Sequence, residues 1–275
     1  MTQSLYLRRE DQISEVHYPD ADAWVMPGVR WGRVERLLTP AFWAYQCAIH
    51  QDASGPHRFR TGKTLREEFA VCMLAGYGVR AEVGMEAAER LRVEGMLDAG
   101  ATPTEAEICE LLQQPLLIRD RPVRYRFYRT KSKYLAAGLQ ALKASPPPED
   151  DAMAFRAWFH RLPGIGLKTA SFLTRNWLGS DDVAILDIHV VRACQIAGVF
   201  PRNIDLAKNY GQLEQRFLDF AKGLGVRASW LDAIMWDDMR YLDDDLVDQA
   251  MEDARLERSI AGDSAESLVM TIPAH

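Results

Sequence analysis

A proline and two glycines divide two predicted helices in the middle of this chain. Residues 151–161 carry apolar side chains at helical spacing, and Pro163 disfavours a helical conformation in the residue before it. Gly164 and Gly166 then allow positive φ angles and the close approach of another backbone. A second helix is predicted from about 167 to 177. The sequence therefore predicts a helix, a Gly-x-Gly turn and a second helix.

This turn is a candidate binding site for a phosphate group. The first N–H groups of a helix lack intrahelical partners and lie at the positive end of the helix dipole, where an anion binds. Such a contact is made to a phosphate and not to a nucleobase, so it carries no information about the nucleotide sequence. The alternative is a tight helix–helix turn without a ligand. Pro163 before the first glycine and Lys168 after the second favour the phosphate site.

Lys168 lies in the predicted first turn of the second helix. The positive end of the helix dipole disfavours the protonated amine there. A neutral lysine can attack the C1′ atom of a sugar and form a Schiff base. The alternative is a lysine that only reaches a phosphate.

Asp187 follows the short apolar run 183–186 and precedes a predicted helix from Ile188 to Cys194. It is well placed to be the N-cap of that helix. A capped aspartate is held rigidly and stays ionised, which is the state needed to stabilise a sugar that becomes positively charged as its base departs. Both roles are compatible with one side chain.

The remaining sequence predicts an all-α fold. Apolar residues recur at helical spacing, Thr104 precedes two acidic residues as a helix start does, and alternating β-branched strands are nearly absent. Breaks are predicted at 50–63 and 145–150, and no regular structure at 262–275. Besides those around the turn, the predicted helices span 64–75, 85–96, 104–112 and 129–142.

Composition limits the class of protein. The 275 residues are 48% hydrophobic, which is enough for one or two packed domains. No run of eighteen apolar residues and no secretion signal is found, so we expect no membrane association. The four cysteines form no CxxC pair, which predicts reduced thiols in a cytoplasmic protein and neither a metal held by side chains nor another cofactor.

The formal net charge of −6 is unevenly distributed. Residues 237–258 hold nine acidic and three basic side chains, and residues 259–275 add two acidic ones, so residues 1–236 carry a charge of +2. The segment 119–133 holds seven basic residues and one acidic residue. This basic segment is compatible with DNA binding, and the alternative is a solvated helix face.

These motifs resemble the helix-hairpin-helix DNA glycosylase superfamily, which excises damaged bases, and most of all its 8-oxoguanine glycosylase/AP lyases. The similarity covers roughly residues 64–240. Four segments carry it: the hairpin 162–170 with its lysine, the Asp-Ile-His step 187–189, the segment 126–135, and Leu-Asp-x-x-x-Trp at 231–236.

The resemblance implies an all-α fold of two helical subdomains with a helix-hairpin-helix motif and a cleft between them. It implies an N-terminal extension of unknown role (1–60), a glycosylase domain (61–240) and an acidic tail (241–275). The partner would be double-stranded DNA containing a damaged base, bound by a monomeric enzyme without a cofactor.

The resemblance also implies roles for individual residues. Lys168 would be the nucleophile of a bifunctional glycosylase/AP lyase and Asp187 its carboxylate, with Trp236 a candidate for the base pocket. The hairpin carbonyls near Gly164 and Gly166 could hold a monovalent cation. The residues expected on the DNA backbone are Gly164, Gly166, His189, Arg126, Arg129 and Lys131.

Two other functions remain open. The short 8-oxoguanine enzymes end soon after the tryptophan, with a terminal lysine that helps to read the lesion, whereas this chain continues into acidic sequence after Trp236. The same fold could therefore act on another modified guanine or a 7-deazaguanine-type base, in RNA or in a defence pathway. A non-catalytic DNA-binding module is the other alternative, although it would not need both Lys168 and Asp187.

Overall fold

The computed structural model describes residues 2–9, 12–50, 59–76 and 78–260, and the chain forms two compact units. The continuous unit is Ser54–Asp182, and the discontinuous unit combines Met1–Ala53 with Val183–His275. Helices dominate the described residues, which confirms the predicted fold class. In chain order the elements are β1 (Gln3–Arg9), β2 (Gln12–Tyr18), β3 (Trp24–Met26), β4 (Val29–Arg30), α1 (Pro40–Ile49), α2 (Leu65–Leu74), α3 (Ala81–Val93), α4 (Glu105–Gln113), β5 (Leu116–Ile118), β6 (Arg121–Val123), α5 (Tyr128–Ala144), α6 (Ala152–His160), α7 (Leu167–Leu178), α8 (Ile188–Ile196), α9 (Leu206–Leu224), α10 (Ala228–Met239) and α11 (Asp244–Ile260).

Side-chain caps fix the starts of several predicted helices. The Thr64 side chain accepts a hydrogen bond from Glu67 N at the start of α2. Thr104 forms a reciprocal capping box with Glu107 at the start of α4. Asp151 accepts hydrogen bonds from two backbone N–H groups at the start of α6. Each cap satisfies N–H groups that the helix leaves unpaired, so these starts follow from local sequence.

Aromatic residues form the core of the continuous unit. Phe69 of α2 and Phe159 of α6 are fully buried and stack with 5.9 Å between their ring centroids. Gly138 lets α5 approach this pair, because a Cβ atom there would lie 2.1 Å from the Phe69 ring. The core also includes Leu173, so α7 is anchored by its buried face.

In the discontinuous unit, N-terminal elements pack against C-terminal helices. Gly223 of α9 touches β3 so closely that a Cβ atom there would lie 2.6 Å from the Val25 carbonyl oxygen. The Trp230 indole of α10 donates a hydrogen bond of 3.1 Å to the Cys47 carbonyl of α1. The described residues up to position 50, which form most of the predicted N-terminal extension, therefore belong to the same unit as α9 and α10.

Three short antiparallel hairpins, β1–β2, β3–β4 and β5–β6, add strands that the sequence analysis did not predict. Their hydrophobic pattern is weak because apolar side chains point to solvent: Tyr6 is 69% exposed and Ile13 is 70% exposed. The predicted irregular segment 262–275 lies outside the described residues. Among the described helices none is long and apolar enough to cross a membrane.

Candidate active site

The hairpin between α6 and α7 needs its two glycines for different reasons. Gly164 has a φ of +78°, and a Cβ atom there would lie 2.1 Å from the ring of Tyr134 on α5. Gly166 has an ordinary φ of −85° and is open to solvent, with nothing near its Cβ position. Of the two glycines that allow a positive φ, only Gly164 adopts one. The close neighbour of Gly164 is an aromatic side chain and not a second backbone.

His160 is a second residue that contacts the hairpin. Its Nδ1 atom lies 3.2 Å from the Ile165 carbonyl oxygen. This carbonyl belongs to the turn that the sequence predicts as a holder of a monovalent cation, so one of its oxygens already has a partner. A carbonyl oxygen has two lone pairs, so this hydrogen bond leaves one of them available to a cation.

The N-terminus of α7 carries no side-chain cap. Gly166 occupies the N-cap position, where it has no side chain to bind the first N–H groups. These donors, together with the helix dipole, therefore remain available to an anion. An open glycine before an uncapped helix is the arrangement that the sequence predicts for a phosphate-binding site.

Lys168 is exposed in the first turn of α7. Within the part of the chain that the structure describes, its ammonium group makes no ion pair and no hydrogen bond. Lys143, by contrast, donates a hydrogen bond of 3.1 Å to the Gly100 carbonyl. Lys168 is therefore free to reach a ligand bound at the hairpin.

The other end of α7 is anchored by a buried carboxylate. Glu68 of α2 is fully buried, and its Oε1 accepts a hydrogen bond of 2.7 Å from the Asn176 amide. Its Oε2 accepts from Thr61 N at 2.7 Å and from Gly62 N at 2.8 Å. Arg60 donates to the Trp177 carbonyl at the end of the helix. These contacts fix α7 while leaving its first turn accessible.

Asp187 is the N-cap of α8, as predicted. Its Oδ1 accepts hydrogen bonds of 2.9 Å from His189 N and 3.0 Å from Val190 N. Its Oδ2 receives no hydrogen bond from any residue that the structure describes. The residue is half-buried. One oxygen thus serves the helix, and the other is available for chemistry.

The basic segment at the start of α5 contains two kinds of side chain. Arg126 and Arg129 are exposed and lie over the rings of neighbouring aromatic residues at 5.2 Å and 5.5 Å. Lys131 is partly buried, with its Nζ 3.8 Å from the sulfur of Met73, and this burial lowers the pKa of its ammonium group. The arginines are therefore better placed than Lys131 to meet a phosphate.

Trp236 of α10 is half-buried, and one of its faces is already covered. The Arg240 guanidinium lies 4.3 Å from the ring centroid and pairs with Asp237 at 2.8 Å. A base could stack on this ring only on the other face or after Arg240 moves. The predicted role of Trp236 in base binding stays a prediction.

The predicted site residues divide between the two units. The hairpin glycines, Lys168 and the basic residues of α5 lie in the continuous unit, where Tyr134 joins α5 to the hairpin. Asp187, His189 and Trp236 lie in the discontinuous unit. Sequence reasoning missed Tyr134 and Glu68, because their partners Gly164 and Asn176 are distant in sequence. It also missed the local contact of His160 with the Ile165 carbonyl.

A family model described as 8-oxoguanine DNA glycosylase, with the helix-hairpin-helix fold, matches residues 56–226, more than half of the chain. The chain belongs to this family. Both Lys168 and Asp187 lie within the matched range, whereas Trp236 and nearly all of the N-terminal segment lie outside it.

Individual relatives agree with the family. The 8-oxoguanine DNA glycosylase/AP lyase of Sulfurisphaera tokodaii is 30% identical over 132 residues, which cover 46% of this chain and 64% of that protein. The enzyme of the same name from Methanocaldococcus jannaschii is 30% identical over 118 residues, covering 41% of this chain and 56% of that protein. The match thus spans less than two thirds of either relative.

Two solved structures are also similar. The 8-oxoguanine DNA glycosylase of Thermotoga maritima aligns with a TM-score of 0.49 at 25% identity, over 62% of this chain and 77% of that one. The Methanocaldococcus jannaschii 8-oxoguanine glycosylase/lyase, in complex with a 15mer DNA containing 8-oxoguanine, aligns with a TM-score of 0.46 at 21% identity. That alignment covers 72% of this chain and 87% of the other.

Proposed function

We propose that this protein excises 8-oxoguanine from double-stranded DNA and then cleaves the backbone at the resulting site. The observation that carries the proposal is the exposed amine of Lys168, which directly follows an open glycine hairpin within the family match. A protein that only bound DNA would need the hairpin but no unpaired nucleophile beside it. The names of the relatives support the same activity.

In this proposal the hairpin holds the DNA backbone near the lesion. The N–H groups at the start of α7 bind a phosphate, and the exposed Arg126 and Arg129 bind others. These contacts position the protein without reading sequence, as a repair enzyme that meets its lesion in any context requires. The damaged nucleotide turns out of the duplex so that its C1′ atom can be reached.

Lys168 then acts as the nucleophile. Its amine nitrogen forms a bond to C1′ and gives up a proton, while the bond from C1′ to the base breaks and the base leaves with the bonding electron pair and takes up a proton. The second nitrogen proton passes to the ring oxygen O4′ as the C1′–O4′ bond breaks, which opens the sugar ring and leaves an imine between the lysine and C1′. Loss of a proton from C2′ breaks the C3′–O3′ bond by β-elimination, and water finally releases the lysine from the product.

Asp187 supports the departure of the base. As the bond to the base lengthens, the sugar gains positive charge, and a fixed carboxylate nearby lowers the energy of that state. The cap on α8 uses Oδ1 and leaves Oδ2 for this purpose. The mechanism requires Lys168 and Asp187 to act on the same nucleotide.

Borohydride trapping tests the nucleophile. We expect the wild-type protein to form a covalent adduct with DNA that contains 8-oxoguanine opposite cytosine, and Lys168→Gln to form none. Lys222→Gln, which removes an exposed lysine from α9, is the matched control and should trap normally. An adduct that persists in Lys168→Gln would exclude Lys168 as the nucleophile.

One observation favours a second candidate substrate. Arg240 covers a face of Trp236, and both lie beyond the family match, so the base pocket can differ from that of the relatives. The same chemistry could then remove another modified guanine or a 7-deazaguanine-type base. Single-turnover assays on 8-oxoguanine DNA, abasic DNA and 7-deazaguanine-modified nucleic acid distinguish the two. Activity on the last substrate alone would overturn the assignment of 8-oxoguanine.

A further inference from the structure

The segment that leads into Asp187 is buried but belongs to no sheet. Val183, Ala184 and Leu186 are fully buried, and residues 183–186, here called the 183–186 segment, have no regular secondary structure. Buried backbone N–H and C=O groups need hydrogen-bond partners, which a strand would find in its neighbours. In this segment side chains bind most of these groups, and the Ile185 carbonyl accepts from Asp187 N.

Three side chains from α9 and α10 bind four of these backbone groups. Glu214 accepts from Ala184 N at 3.1 Å, and Asp232 accepts from Ile185 N at 3.1 Å. The Tyr210 hydroxyl donates to the Ala184 carbonyl at 2.8 Å and accepts from Leu186 N at 3.3 Å. Consecutive residues of the 183–186 segment are thus held from two helices.

Binding the backbone of a loop with buried carboxyl groups is energetically unfavourable. Tyr210, Glu214 and Asp232 are only 5%, 4% and 2% exposed. Removing carboxyl groups from water is unfavourable, and such groups are often less stabilising than apolar side chains of the same volume. Their hydrogen bonds do, however, restrict the backbone to one conformation, as a supporting shell around a reactive group does.

The restricted backbone ends at Asp187. Leu186, whose N–H contacts Tyr210, directly precedes it, and Asp187 N donates to the Ile185 carbonyl at 3.1 Å. On its other side Asp187 is held by the α8 cap through Oδ1. The backbone is therefore held on both sides of Asp187, which restricts the direction in which its free Oδ2 atom points.

We propose that Tyr210, Glu214 and Asp232 are positioning residues that orient the Asp187 carboxylate through the 183–186 segment. This inference rests on the proposed function of Asp187 in base excision. A displacement of about 1 Å in a catalytic group can reduce a rate by about 100-fold, so loss of one positioning contact should slow excision without altering the nucleophile.

Tyr210→Phe is the main test, because it deletes one hydroxyl and keeps the ring. We expect the single-turnover rate of base excision to fall by about tenfold or more. Borohydride trapping on DNA with a preformed abasic site, which needs Lys168 but no base departure, should stay within about threefold of wild type. DNA affinity, measured by fluorescence anisotropy, should be unchanged.

Asp232 offers a test by conservative rescue. The oxygen of an Asn side chain can still accept the Ile185 N–H, so Asp232→Asn should retain most excision, whereas Asp232→Ala should lose it. Phe220→Leu, which alters a fully buried residue of α9 outside the network, controls for general destabilisation. Comparable losses of excision in Phe220→Leu and Tyr210→Phe would overturn the positioning role.

Hydrogen exchange provides a readout that does not depend on activity. Peptides covering 183–190 should exchange faster in Tyr210→Phe, while peptides from α7 should not change. Normal excision or unchanged exchange in Tyr210→Phe would overturn the inference and leave the proposed function intact. A wild-type protein that excises no base would instead overturn the proposed function, although the exchange experiment would still test the restraint on the segment.

Discussion

At the scale of single residues, Lys168 and Asp187 are held in opposite ways. Lys168 is exposed and makes no polar contact with the described residues, whereas Asp187 is half-buried and bound to two backbone N–H groups. A nucleophile must move to form a bond, and a charge that stabilises a transition state works best when it is already fixed. The two environments match the two proposed roles.

Asp187→Asn tests the charge separately from the cap. An Asn side chain can cap a helix as well as Asp, so we expect normal folding and DNA affinity. Base excision should fall by about 100-fold or more, because the neutral amide cannot stabilise the positive sugar. Single-turnover kinetics measure the loss. Asp205→Asn, the same change at the cap of α9, should excise normally, and excision that survives in Asp187→Asn would remove Asp187 from the mechanism.

Glu68 anchors α7 through a fully buried carboxylate. Its two oxygens accept hydrogen bonds from Thr61, Gly62 and Asn176. A Gln side chain has only one acceptor oxygen, so it could accept either from Asn176 or from Thr61 and Gly62. We expect Glu68→Gln to lower the free energy of unfolding by about 2 kcal/mol, since buried donors lose their acceptor. Urea denaturation measures the change.

The control for Glu68 is Glu110→Gln, an exposed change on α4. It should alter the free energy of unfolding by less than about 0.5 kcal/mol. Equal effects of the two substitutions would show that the buried hydrogen bonds of Glu68 do not anchor α7.

At the scale of elements, the hairpin separates a structural glycine from a functional one. Gly164 combines a φ of +78° with contact to the Tyr134 ring, so its missing Cβ is required for folding. Gly166 has neither constraint, and its open position next to the uncapped helix matters only to something that approaches from outside.

Alanine substitutions test this difference. Gly164→Ala should lower the free energy of unfolding by about 2 kcal/mol or more, because it adds steric overlap to an unfavourable φ. Gly166→Ala should lower it by less than about 1 kcal/mol but weaken DNA binding, since its methyl group lies where a phosphate must approach. Thermal unfolding and anisotropy titrations provide the two measurements. Equal DNA affinity in wild type and Gly166→Ala would contradict the binding of a phosphate at the start of α7.

Local sequence predicted the elements that local contacts form. The cap at Thr104, the turn at Gly164 and the cap at Asp187 each depend on residues within four positions, and each is found in the structure. The ring of Tyr134 against the hairpin joins residues about thirty positions apart, and Glu68 and Asn176 are separated by 108. Such contacts arise only from packing, so no pattern in a single sequence reveals them.

The strands were missed for a related reason. Leu7 is buried, while Tyr6 and Ile13 on the same hairpin point to solvent. A sheet that is solvated on most of its surface lacks the alternation by which strands are recognised. The packing of the N-terminal segment against α9 and α10 was likewise not visible in sequence, because it joins segments about 200 residues apart.

At the scale of the whole molecule, the acidic C-terminal sequence is partly folded against basic residues. Asp244 of α11 pairs with Arg192 at 3.1 Å, and Asp253 pairs with Arg36 at 3.8 Å. Arg202 donates to the Met251 carbonyl at 2.8 Å. These contacts all lie in the discontinuous unit, and the two ion pairs neutralise arginines that would otherwise attract a polyanion.

The double variant Asp244→Asn/Asp253→Asn should therefore bind undamaged DNA more tightly. Exposed ion pairs contribute at most about 1 kcal/mol, so the fold should persist while the negative charges next to Arg192 and Arg36 are removed. We expect a gain of about threefold at low salt and a steeper fall of affinity with salt, because additional counterions are released. Glu149→Gln/Asp150→Asn, in the exposed loop after α5, changes the net charge equally. Because the expected gain depends on where the charges lie, an equal gain in this control would show that total charge alone sets the affinity.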